Sequence, residues 1–389
     1  MHNKNVLVTD GFWRKSLAIV RALSKSGLKV GVGERTFLAP TLFSKYASSR
    51  YIYPSVELHP DRFLDWLVKL VKMGKFEVLI VPEEATSLLI AQNKERLVNF
   101  IKIALPEYEA MNFLGNKFSL LSHASNLGIP CPKTKLITSI ADIYKYKNNL
   151  QFPLVLKPLN GSGGCGIEYI LKESELKTKA EKIISKYKKF LMQDYIPGNL
   201  YYGVSVIFNR KNEMRSAFVH KKMRQYPTTG GASTYAVSVK LPKLVELTEA
   251  LLKSLNWYGV ANVEFKIDQR DNIPKLMEAN PRFWGSLQLA ISSGINIPYM
   301  LYQLVLEGDT KPVFDYKIGV KFRWFMHGDA MHFLSNLKKF RSSDSNILRI
   351  FEKGNCHAVW SLADPLPALG NILSFFDFLT SKELRKYHG

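Results

Sequence analysis

The residues best placed to do chemistry are two glutamates on neighbouring strand-like segments. In VANVEFKID, residues 260–268, apolar and polar residues alternate, and after the turn QRDN a second strand-like run ends in EANPR, residues 278–282. A hairpin centred on Asp271 sets Glu264 opposite Glu278. Two carboxylates placed opposite each other repel, so a positive group is expected between them. Mg²⁺ takes oxygen ligands of this kind together with substrate phosphates.

The same register sets Asn262 opposite Asn280, and one alternative interpretation remains. A solvated sheet face, on which each glutamate meets only water, would show the same alternation. The Glu-x-Asn-Pro-Arg string at the end of the second strand favours a metal site over that alternative.

A glycine-rich loop in FPLVLKPLNGSGGCGIEYIL, residues 152–171, is a second candidate site. A strand-like run ends at Lys157, glycines follow, and GIEYIL begins another strand. Glycines let backbone N–H groups approach phosphate oxygens, which a neighbouring lysine neutralises. A Rossmann site would need a helix after the loop, a Walker loop would need Gly-Lys-Ser/Thr, and a protein kinase would need HRD and DFG motifs. A flexible hairpin turn is the alternative that this segment alone leaves open.

A cationic cluster lies in FVHKKMRQYPTTGGAST, residues 218–234, beside a Gly-Gly loop. The cluster consists of His220, Lys221, Lys222 and Arg224. We expect Arg224 to contact phosphate or a substrate carboxylate, whereas for His220 a structural role and a functional role both stay open.

The elements that must position these residues differ along the chain. Over the first 110 residues, strand-like runs at 4–9, 28–32, 76–81 and 101–105 alternate with helical patterns such as Ser16 to Ser26. This alternation predicts an α/β domain with a parallel sheet. From about residue 150 the strand-like runs come in adjacent pairs, which predicts α+β domains with antiparallel sheets. The pairs are 152–157 with 166–171, 202–209 with 214–220, and 260–268 with 274–280.

We therefore predict four units. They are an α/β domain over 1–110, a small subdomain with the glycine-rich loop over 111–192, a larger subdomain with the metal site over 193–310, and a C-terminal extension packed on the core over 311–389. One long helix is predicted from Asn112 to Leu127, ended by Gly128.

The order and spacing of these motifs resemble the ATP-grasp superfamily, which includes biotin carboxylase, carbamoyl phosphate synthetase and D-alanine–D-alanine ligase. Lys157 precedes the glycine-rich loop, QDYIPG follows at 193–198, and Glu264 and EANPR complete the set. The resemblance extends over about residues 106–300. The preceding α/β domain resembles the domain that comes before the grasp in that family. The resemblance implies ATP and Mg²⁺, or Mn²⁺, as cofactors.

The resemblance also implies a role for each matching residue. Lys117 and Lys157 would contact the phosphates, together with the loop residues Gly161, Ser162, Gly163 and Gly164. The nucleoside would be surrounded by Gln193, Asp194, Tyr195, Ile196 and Asn199; relatives often carry lysine in place of Asp194 and an acidic residue near Asn199. Glu264, Glu278 and Asn280 would ligate the metal. Arg282 would hold the γ-phosphate or the charge that develops on an acyl phosphate.

The implied activity is that of a carboxylate–amine ligase, which uses ATP to convert a carboxylate into an acyl phosphate that an amine attacks. Phosphoryl transfer needs positioning and charge neutralisation more than covalent help from the protein. The alternatives are another ATP-grasp reaction, such as a kinase or a carboxylating enzyme, and a nucleotide-binding regulatory protein without catalysis. The partners expected are a small-molecule carboxylate and an amine, and a homodimer stays open.

Composition limits the remaining classes. The 389 residues are 46% hydrophobic and 22% charged, as in folded proteins of several domains. The 54 Lys and Arg against 33 Asp and Glu give a net charge of +21, but these cations are scattered and no zinc-finger or RNP motif is present, so specific nucleic-acid binding is not expected. Three separated cysteines and a strand-like start without an apolar leader predict a cytoplasmic protein.

The last residues of the chain predict a helix with an apolar face. Leu369, Ile372, Leu373 and Phe376 share this face, and Lys382, Arg385 and Lys386 follow. We expect the helix to pack on the grasp domain. Peripheral contact with an anionic membrane is the alternative. A transmembrane segment is not expected, because two prolines and two aspartates interrupt residues 359–379.

Overall fold

The computed structural model describes residues 5–146, 150–159, 166–228, 230–335 and 355–380. Its first domain contains a parallel sheet, as predicted. The described strands are β1 (Asn5–Val8), β2 (Lys29–Glu34), β3 (Ser49–Ile52), β4 (Val78–Ile80) and β5 (Lys102–Ile103). They run in the order β3-β2-β1-β4-β5. The order reverses between β1 and β4, so a crevice opens at the carboxyl ends of these two strands.

Three α-helices among the described residues belong to this domain: α1 (Arg14–Lys25), α2 (Pro60–Lys72) and α3 (Glu84–Gln92). Short 3-10 turns occur at Pro40–Phe43 and Lys94–Arg96. α1 buries Ile19, Val20 and Leu23 against the sheet. Its first turn contains no acidic residue, and the residue before it is Trp13, whose side chain cannot cap the helix.

The single helix predicted over Asn112 to Leu127 is instead two helices, α4 (Tyr108–Gly115) and α5 (Lys117–Asn126). Between them Asn116 has an extended backbone, and its side-chain oxygen accepts hydrogen bonds from the N–H groups of Phe118 and Ser119. An asparagine that caps a following helix competes with continuation of the preceding one. The break places Lys117 at the first position of α5.

A small subdomain follows. Its described strands are β6 (Thr134–Ile137), β7 (Leu154–Pro158), β8 (Glu168–Ile170) and β9 (Phe190–Asp194), in the antiparallel order β6-β9-β7-β8. Two helices, α6 (Ile140–Tyr146) and α7 (Glu173–Tyr187), pack on this sheet. Leu176, Ala180 and Ile183 of α7 lie in one apolar cluster with Leu156 and Phe190 of the sheet.

The larger sheet has seven described strands. They are β10 (Tyr201–Phe208), β11 (Met214–Tyr226), β12 (Ala232–Val239), β13 (Gly259–Ile267), β14 (Pro274–Asn280), β15 (Lys321–Arg323) and β16 (Asn355–His357). Their order is β14-β13-β10-β11-β12-β15-β16. The described helices of this part are α8 (Pro242–Lys253), α9 (Leu287–Ser292), α10 (Ile297–Glu307), α11 (Ala330–Ser335) and α12 (Leu366–Thr380).

β15 and β16 lie beyond the predicted boundary at residue 310 and extend the same sheet that carries β10 to β14. β15 pairs with β12, and β16 pairs with β15 in parallel. Both strands have three residues. Runs that short have too few residues to show a period of two, so no strand was predictable there.

The two faces of the larger sheet have different surroundings. Val204, Val206 and Val263 point into an apolar core with Leu120 of α5 and Leu251 of α8. The opposite face carries the polar residues of β13, and Ile207, Phe218 and Val260 on that face pack with α1, α9 and α10. The polar residues of β13 therefore share their face of the sheet with an apolar core, which covers one end of that face.

The C-terminal helix α12 does not pack as predicted. It lies against the Pro40–Phe43 turn of the first domain, where Gly370 contacts Phe43 and Pro40, rather than on the grasp domain. Leu369 and Ile372 are 48% and 39% exposed, so the predicted apolar face is only partly covered. The side chain of Phe376, and Lys382, Arg385 and Lys386, lie outside the described residues. Among the described helices, none combines the length and apolar character that a membrane crossing requires.

Candidate functional site

The β13–β14 hairpin has the register that the sequence predicts. Glu264 pairs with Glu278 and Asn262 with Asn280, and the register shifts only after Glu264. Two lysines supply the expected positive charge in this structure. Lys222 Nζ lies 2.5 Å from Oε2 of Glu264, and Lys117 Nζ lies 3.6 Å from Oε2 of Glu278.

The two glutamates differ in their electrostatics. Burial raises the pKa of Glu264, and the neighbouring Glu278 raises it further, against the effect of Lys222. Burial also acts to raise the pKa of Glu278, but Lys117, Lys222 and Lys157 outweigh it and hold that pKa below its ordinary value. Glu278 is therefore the permanently ionised member of the pair near neutral pH.

The donor set fits Mg²⁺. Glu264, Glu278 and the Oδ1 atom of Asn280 offer hard oxygen ligands on one face of the hairpin. Within the described residues there is no group of three or more His, Cys, Asp or Glu that could close a cage around a metal. Two carboxylates and an amide suit a cation that takes its other ligands from water and a substrate phosphate, as Mg²⁺ does.

The phosphate-side lysines come from two different elements. Lys157 is buried near the C-terminal end of β7. Burial, together with the nearby charge of Lys117, lowers the pKa of Lys157 to about 8. The backbone N–H of Lys117 donates to the carbonyl of Leu159, which ties α5 to the start of the glycine-rich loop. Gly161, Ser162, Gly163 and Gly164 lie outside the described residues. At the end of the loop Gly166 has φ +74°, and a Cβ there would lie 2.6 Å from the Tyr187 hydroxyl.

A cleft between the two antiparallel sheets, here called the intersheet cleft, runs from these lysines to an aromatic pocket. It is lined by Lys117, Val155, Lys157, Ile167, Tyr169, Gln193, Asp194, Tyr195, Ile196, Tyr201, Lys222, Gln225, Gly230, Glu264, Phe265, Lys266, Met277 and Glu278. Eight of the sequence-predicted site residues therefore lie together. A flat base would meet apolar and aromatic side chains at one end and the phosphates would meet the lysines at the other.

The predicted nucleoside residues lie in the last two positions of β9 and directly after it. The Nε2 atom of Gln193 donates to Thr134 Oγ1 at 2.8 Å, which fixes that side chain, and burial raises the pKa of Asp194. The ring of Tyr195 packs edge-on against Tyr169, with ring centres 5.9 Å apart. Asn199 is exposed and does not line the cleft, because the chain has already turned away at Gly198.

Arg224, for which contact with phosphate or a substrate carboxylate is predicted, does not line the cleft. Its Nε and Nη2 atoms donate to Asp329 at 3.1 and 2.8 Å, and its guanidinium stacks on Tyr235. Asp329 belongs to the C-terminal extension, which was predicted to pack on the core, although no contact residue was predicted. A register shift in β11 beside Arg224 turns this side chain away from the face that carries Lys222.

His220 is buried on the face of the sheet that carries the glutamates. It stacks on Phe218, fills the space above Gly203, and its Nε2 lies 3.5 Å from Ser286 Oγ. Burial, with Lys222 nearby, lowers its pKa to about 3, so the ring is neutral. It does not line the intersheet cleft.

Two lysines that line the cleft were given no role of their own by the sequence, since Lys222 was named only within the cationic cluster and Lys266 was not named. Lys222 lies two residues after His220 on β11 and therefore shares its face of the sheet. Lys266 lies two residues after Glu264 on β13, where its Nζ stacks on the rings of Tyr195 and Tyr201. The period of two along each strand was the signal that could have found them. Burial lowers the pKa of Lys266 to about 8.

Arg282 joins the metal hairpin to the first domain. Its Nη2 donates to Asn280 Oδ1 at 3.2 Å, and its Nε lies 3.4 Å from Glu84 at the start of α3. Burial acts to lower its pKa, but Glu83, Glu84 and Glu278 outweigh that effect and raise it. Arg282 is therefore a permanent cation beside the predicted metal ligands.

Two family models match the chain. A family model described as "ATP-grasp in the biosynthetic pathway with Ter operon" matches residues 186–327, and a "RimK-like ATP-grasp domain" matches residues 115–208. Both models describe ATP-grasp domains and together they match residues 115–327, so this part of the chain has the ATP-grasp fold that the sequence resembles. The matched segments together extend beyond the C-terminal limit of the resemblance found in the sequence.

Individual relatives are distant. The chain is 25% identical to a D-aspartate ligase from Enterococcus faecium over 67% of this chain and 66% of that protein. It is 27% identical to an uncharacterized protein from Methanocaldococcus jannaschii over 52% of this chain and 49% of that protein. The chain thus spans about two thirds or less of the length of these relatives.

Solved structures share the fold. Biotin carboxylase from Campylobacter jejuni superposes with a TM-score of 0.67 at 17% identity, over 82% of this chain and 74% of that one. N5-carboxyaminoimidazole synthetase from Staphylococcus aureus, solved with ADP, gives a TM-score of 0.66 at 18% identity, over 82% and 80%. At these identities the likeness establishes the fold alone.

Proposed function

We propose that this protein is an ATP- and Mg²⁺-dependent ligase that activates a carboxylate as an acyl phosphate and joins it to an amine. The observation that carries the proposal is the paired Glu264 and Glu278, set opposite each other and surrounded by Lys117, Lys157 and Lys222. Such a concentration of charge on buried strands costs stability unless a ligand uses it. A nucleotide triphosphate with its cation matches both signs of that charge.

The residues divide the chemistry between them. Lys117 and Lys157 neutralise the phosphates, and Glu264, Glu278 and Asn280 would hold Mg²⁺, which when bound screens the phosphate charge. Arg282 stabilises the carboxylate and the acyl phosphate that it becomes. A carboxylate oxygen forms a bond to the γ-phosphorus as the bond to the ADP oxygen breaks. The amine nitrogen then bonds to the acyl carbon, the carbon–oxygen bond to phosphate breaks, and the nitrogen loses a proton to solvent or to phosphate.

The relatives indicate which substrates to test first. A D-aspartate ligase is among the similar proteins, so amino acids form the first pool of carboxylates and amines. The test is ADP release by purified protein with Mg²⁺-ATP against pools of amino acids and other carboxylates, each with and without an amine pool. We expect release that depends on both substrates.

Two variants sharpen this screen. Glu278→Gln keeps the shape of the side chain but removes the charge, and should lower carboxylate-dependent ADP release by at least about 100-fold. Glu249→Gln alters only a surface ion pair with Lys253 on α8 and should leave carboxylate-dependent ADP release unchanged. Phosphorylation of hydroxyl substrates would contradict the proposal and favour a kinase, and turnover only with bicarbonate would favour a carboxylating enzyme. Nucleotide binding without turnover of any substrate would favour a non-catalytic role, and equal activity of Glu278→Gln would contradict the assignment of Glu278 to the site.

A further inference from the structure

A second group of charged residues lies where the first domain meets the metal hairpin. This interdomain cluster consists of Arg14 and Lys15 at the start of α1, Glu83 and Glu84 at the start of α3, and Arg282. Both helices begin at the crevice where the strand order of the parallel sheet reverses, which is where α/β sheets bind ligands. Lys15 Nζ and Arg282 Nη1 donate to the same carbonyl, that of Phe283, at 3.2 and 3.0 Å.

The three cations of the interdomain cluster are not paired alike. Lys15 pairs with Glu83 at 2.5 Å, and Arg282 lies 3.4 Å from Glu84. Arg14 makes no ion pair with any described residue, and of its three nitrogens only Nε has a hydrogen-bond acceptor in the described chain, the carbonyl of Gly285 at 2.8 Å. Arg14 is thus the cation of this cluster that lacks a carboxylate partner among the described residues.

Arg14 is held rigidly in this position by two other parts of the chain. Its guanidinium carbon lies 3.7 Å from the centre of the Trp324 ring, in the C-terminal extension. Its Nη2 lies over Gly285, where a Cβ would come within 2.1 Å, so only glycine leaves room for it. The guanidinium is half-buried, and burial together with Arg282 lowers its pKa to about 9. A cation kept in such surroundings gains free energy when an anion binds to it.

We infer that Arg14 binds a second carboxylate of the substrate, so that this ligase acts on a dicarboxylate. The inference rests on the proposed function: one carboxylate reacts beside Arg282, and the other is held by Arg14. A cation without a carboxylate partner matches one further carboxylate. Trp324 covers a face of the guanidinium. The two Nη groups, which have no acceptor among the described residues, form the planar fork that a carboxylate binds in two places.

The test traps the acyl phosphate with hydroxylamine, which takes the place of the amine and gives a hydroxamate. The probes are matched pairs that differ in one charge: succinate with succinamate, glutarate with glutaramate, and aspartate with asparagine. We expect a kcat/KM at least about 10-fold higher for a dicarboxylate than for its mono-amide, since a charged hydrogen-bonded pair contributes on that order. O-phosphoserine tests a phosphate in place of the second carboxylate.

Variants of Arg14 then assign the preference to this residue. Arg14→Gln should lower kcat/KM for the dicarboxylate by about 10- to 100-fold. It should leave both kcat/KM for the mono-amide and KM for ATP unchanged. Arg14→Lys keeps the charge without the fork and should recover part of the loss. Arg62→Gln, an exposed arginine of α2, is the matched control and should change nothing.

The outcomes separate this inference from the proposed function. Equal use of dicarboxylates and mono-amides by the wild-type protein, or preference for O-phosphoserine, overturns the inference while the ligase activity stands. If Arg14→Gln lowers kcat/KM equally for the dicarboxylate and for its mono-amide, Arg14 has a structural role, and this result also overturns the inference. Absence of hydroxamate and of ADP with every carboxylate overturns the proposed function and the inference with it.

Discussion

At the residue scale, the site is governed by how lysines balance buried carboxylates. The sequence alone predicts repulsion between Glu264 and Glu278, but the structure surrounds them with Lys117, Lys157 and Lys222. The pKa of Glu278 is lowered, which means that its ionised form stabilises the folded protein. Removing its charge should therefore destabilise the ligand-free protein, where repulsion alone would have predicted stabilisation.

Lys157 gives the first prediction at this scale. Mg²⁺-ATP binds the folded state and should raise the melting temperature, with a shift that grows with nucleotide concentration. Lys157→Ala should reduce that shift, because a buried cation that faces the phosphates is lost. Lys240→Ala, which removes only a surface pair with Asp315, is the control. If Mg²⁺-ATP raised the melting temperature of Lys157→Ala as much as that of the wild-type protein, Lys157 would not contact the phosphates. Stabilisation by GTP and not by ATP would contradict the assignment of an ATP site.

At the element scale, long alternating or periodic segments were predictable and short or interrupted ones were not. The β13–β14 register followed from the alternation around Glu264, and the parallel sheet followed from its buried strands. The break at Asn116 was missed because one side-chain cap overrode a continuous helical pattern. Lys222 and Lys266 were recoverable from strand alternation, but Arg14 was not, since its partners lie about 270 and more residues away.

The carboxyl edge of the parallel sheet gives a pH prediction. Burial, with Asp10 beside it, raises the pKa of Glu34 to about 7, from a model-compound value of 4.5. Arg35 and Tyr53 also face this carboxyl. Between these two pKa values the folded state binds more protons than the unfolded state, so stability falls as pH rises towards and through 7.

Glu34→Gln removes this titration. The fall in unfolding free energy between pH 5 and pH 8 should be smaller in the variant by up to about 3 kcal/mol. Chemical denaturation at several pH values measures it. The same pH dependence in both proteins would show that Glu34 does not titrate in this range.

At the scale of the whole molecule, three parts of the chain meet beside the β13–β14 hairpin. The first domain supplies Arg14, the grasp domain supplies Glu278 and Arg282, and the C-terminal extension supplies Trp324. The extension is also fastened to the first domain by Asp364, which pairs with buried Arg21 at 2.9 Å and accepts hydrogen bonds from Ser44 and from the N–H of Lys45.

Asp364→Ala should therefore destabilise the protein by about 3 kcal/mol, because it leaves Arg21 buried without a partner. Asp315→Ala removes a carboxylate that is almost fully exposed in its pair with Lys240, and should cost less than about 1 kcal/mol. Denaturant titration of both variants measures the difference. Equal stability of the two variants would show that the extension is not anchored through Asp364.

The central claim, that ATP activates a carboxylate as an acyl phosphate, is tested most directly by isotope transfer. The carboxylate with the fastest ADP release is labelled with ¹⁸O in both oxygens and turned over with Mg²⁺-ATP and an amine in unlabelled water. Because the carboxylate oxygen that attacks the γ-phosphorus leaves with it, one ¹⁸O atom should appear in each phosphate released and one should remain in the amide. Phosphate without label, or product that retains both ¹⁸O atoms, would contradict the account.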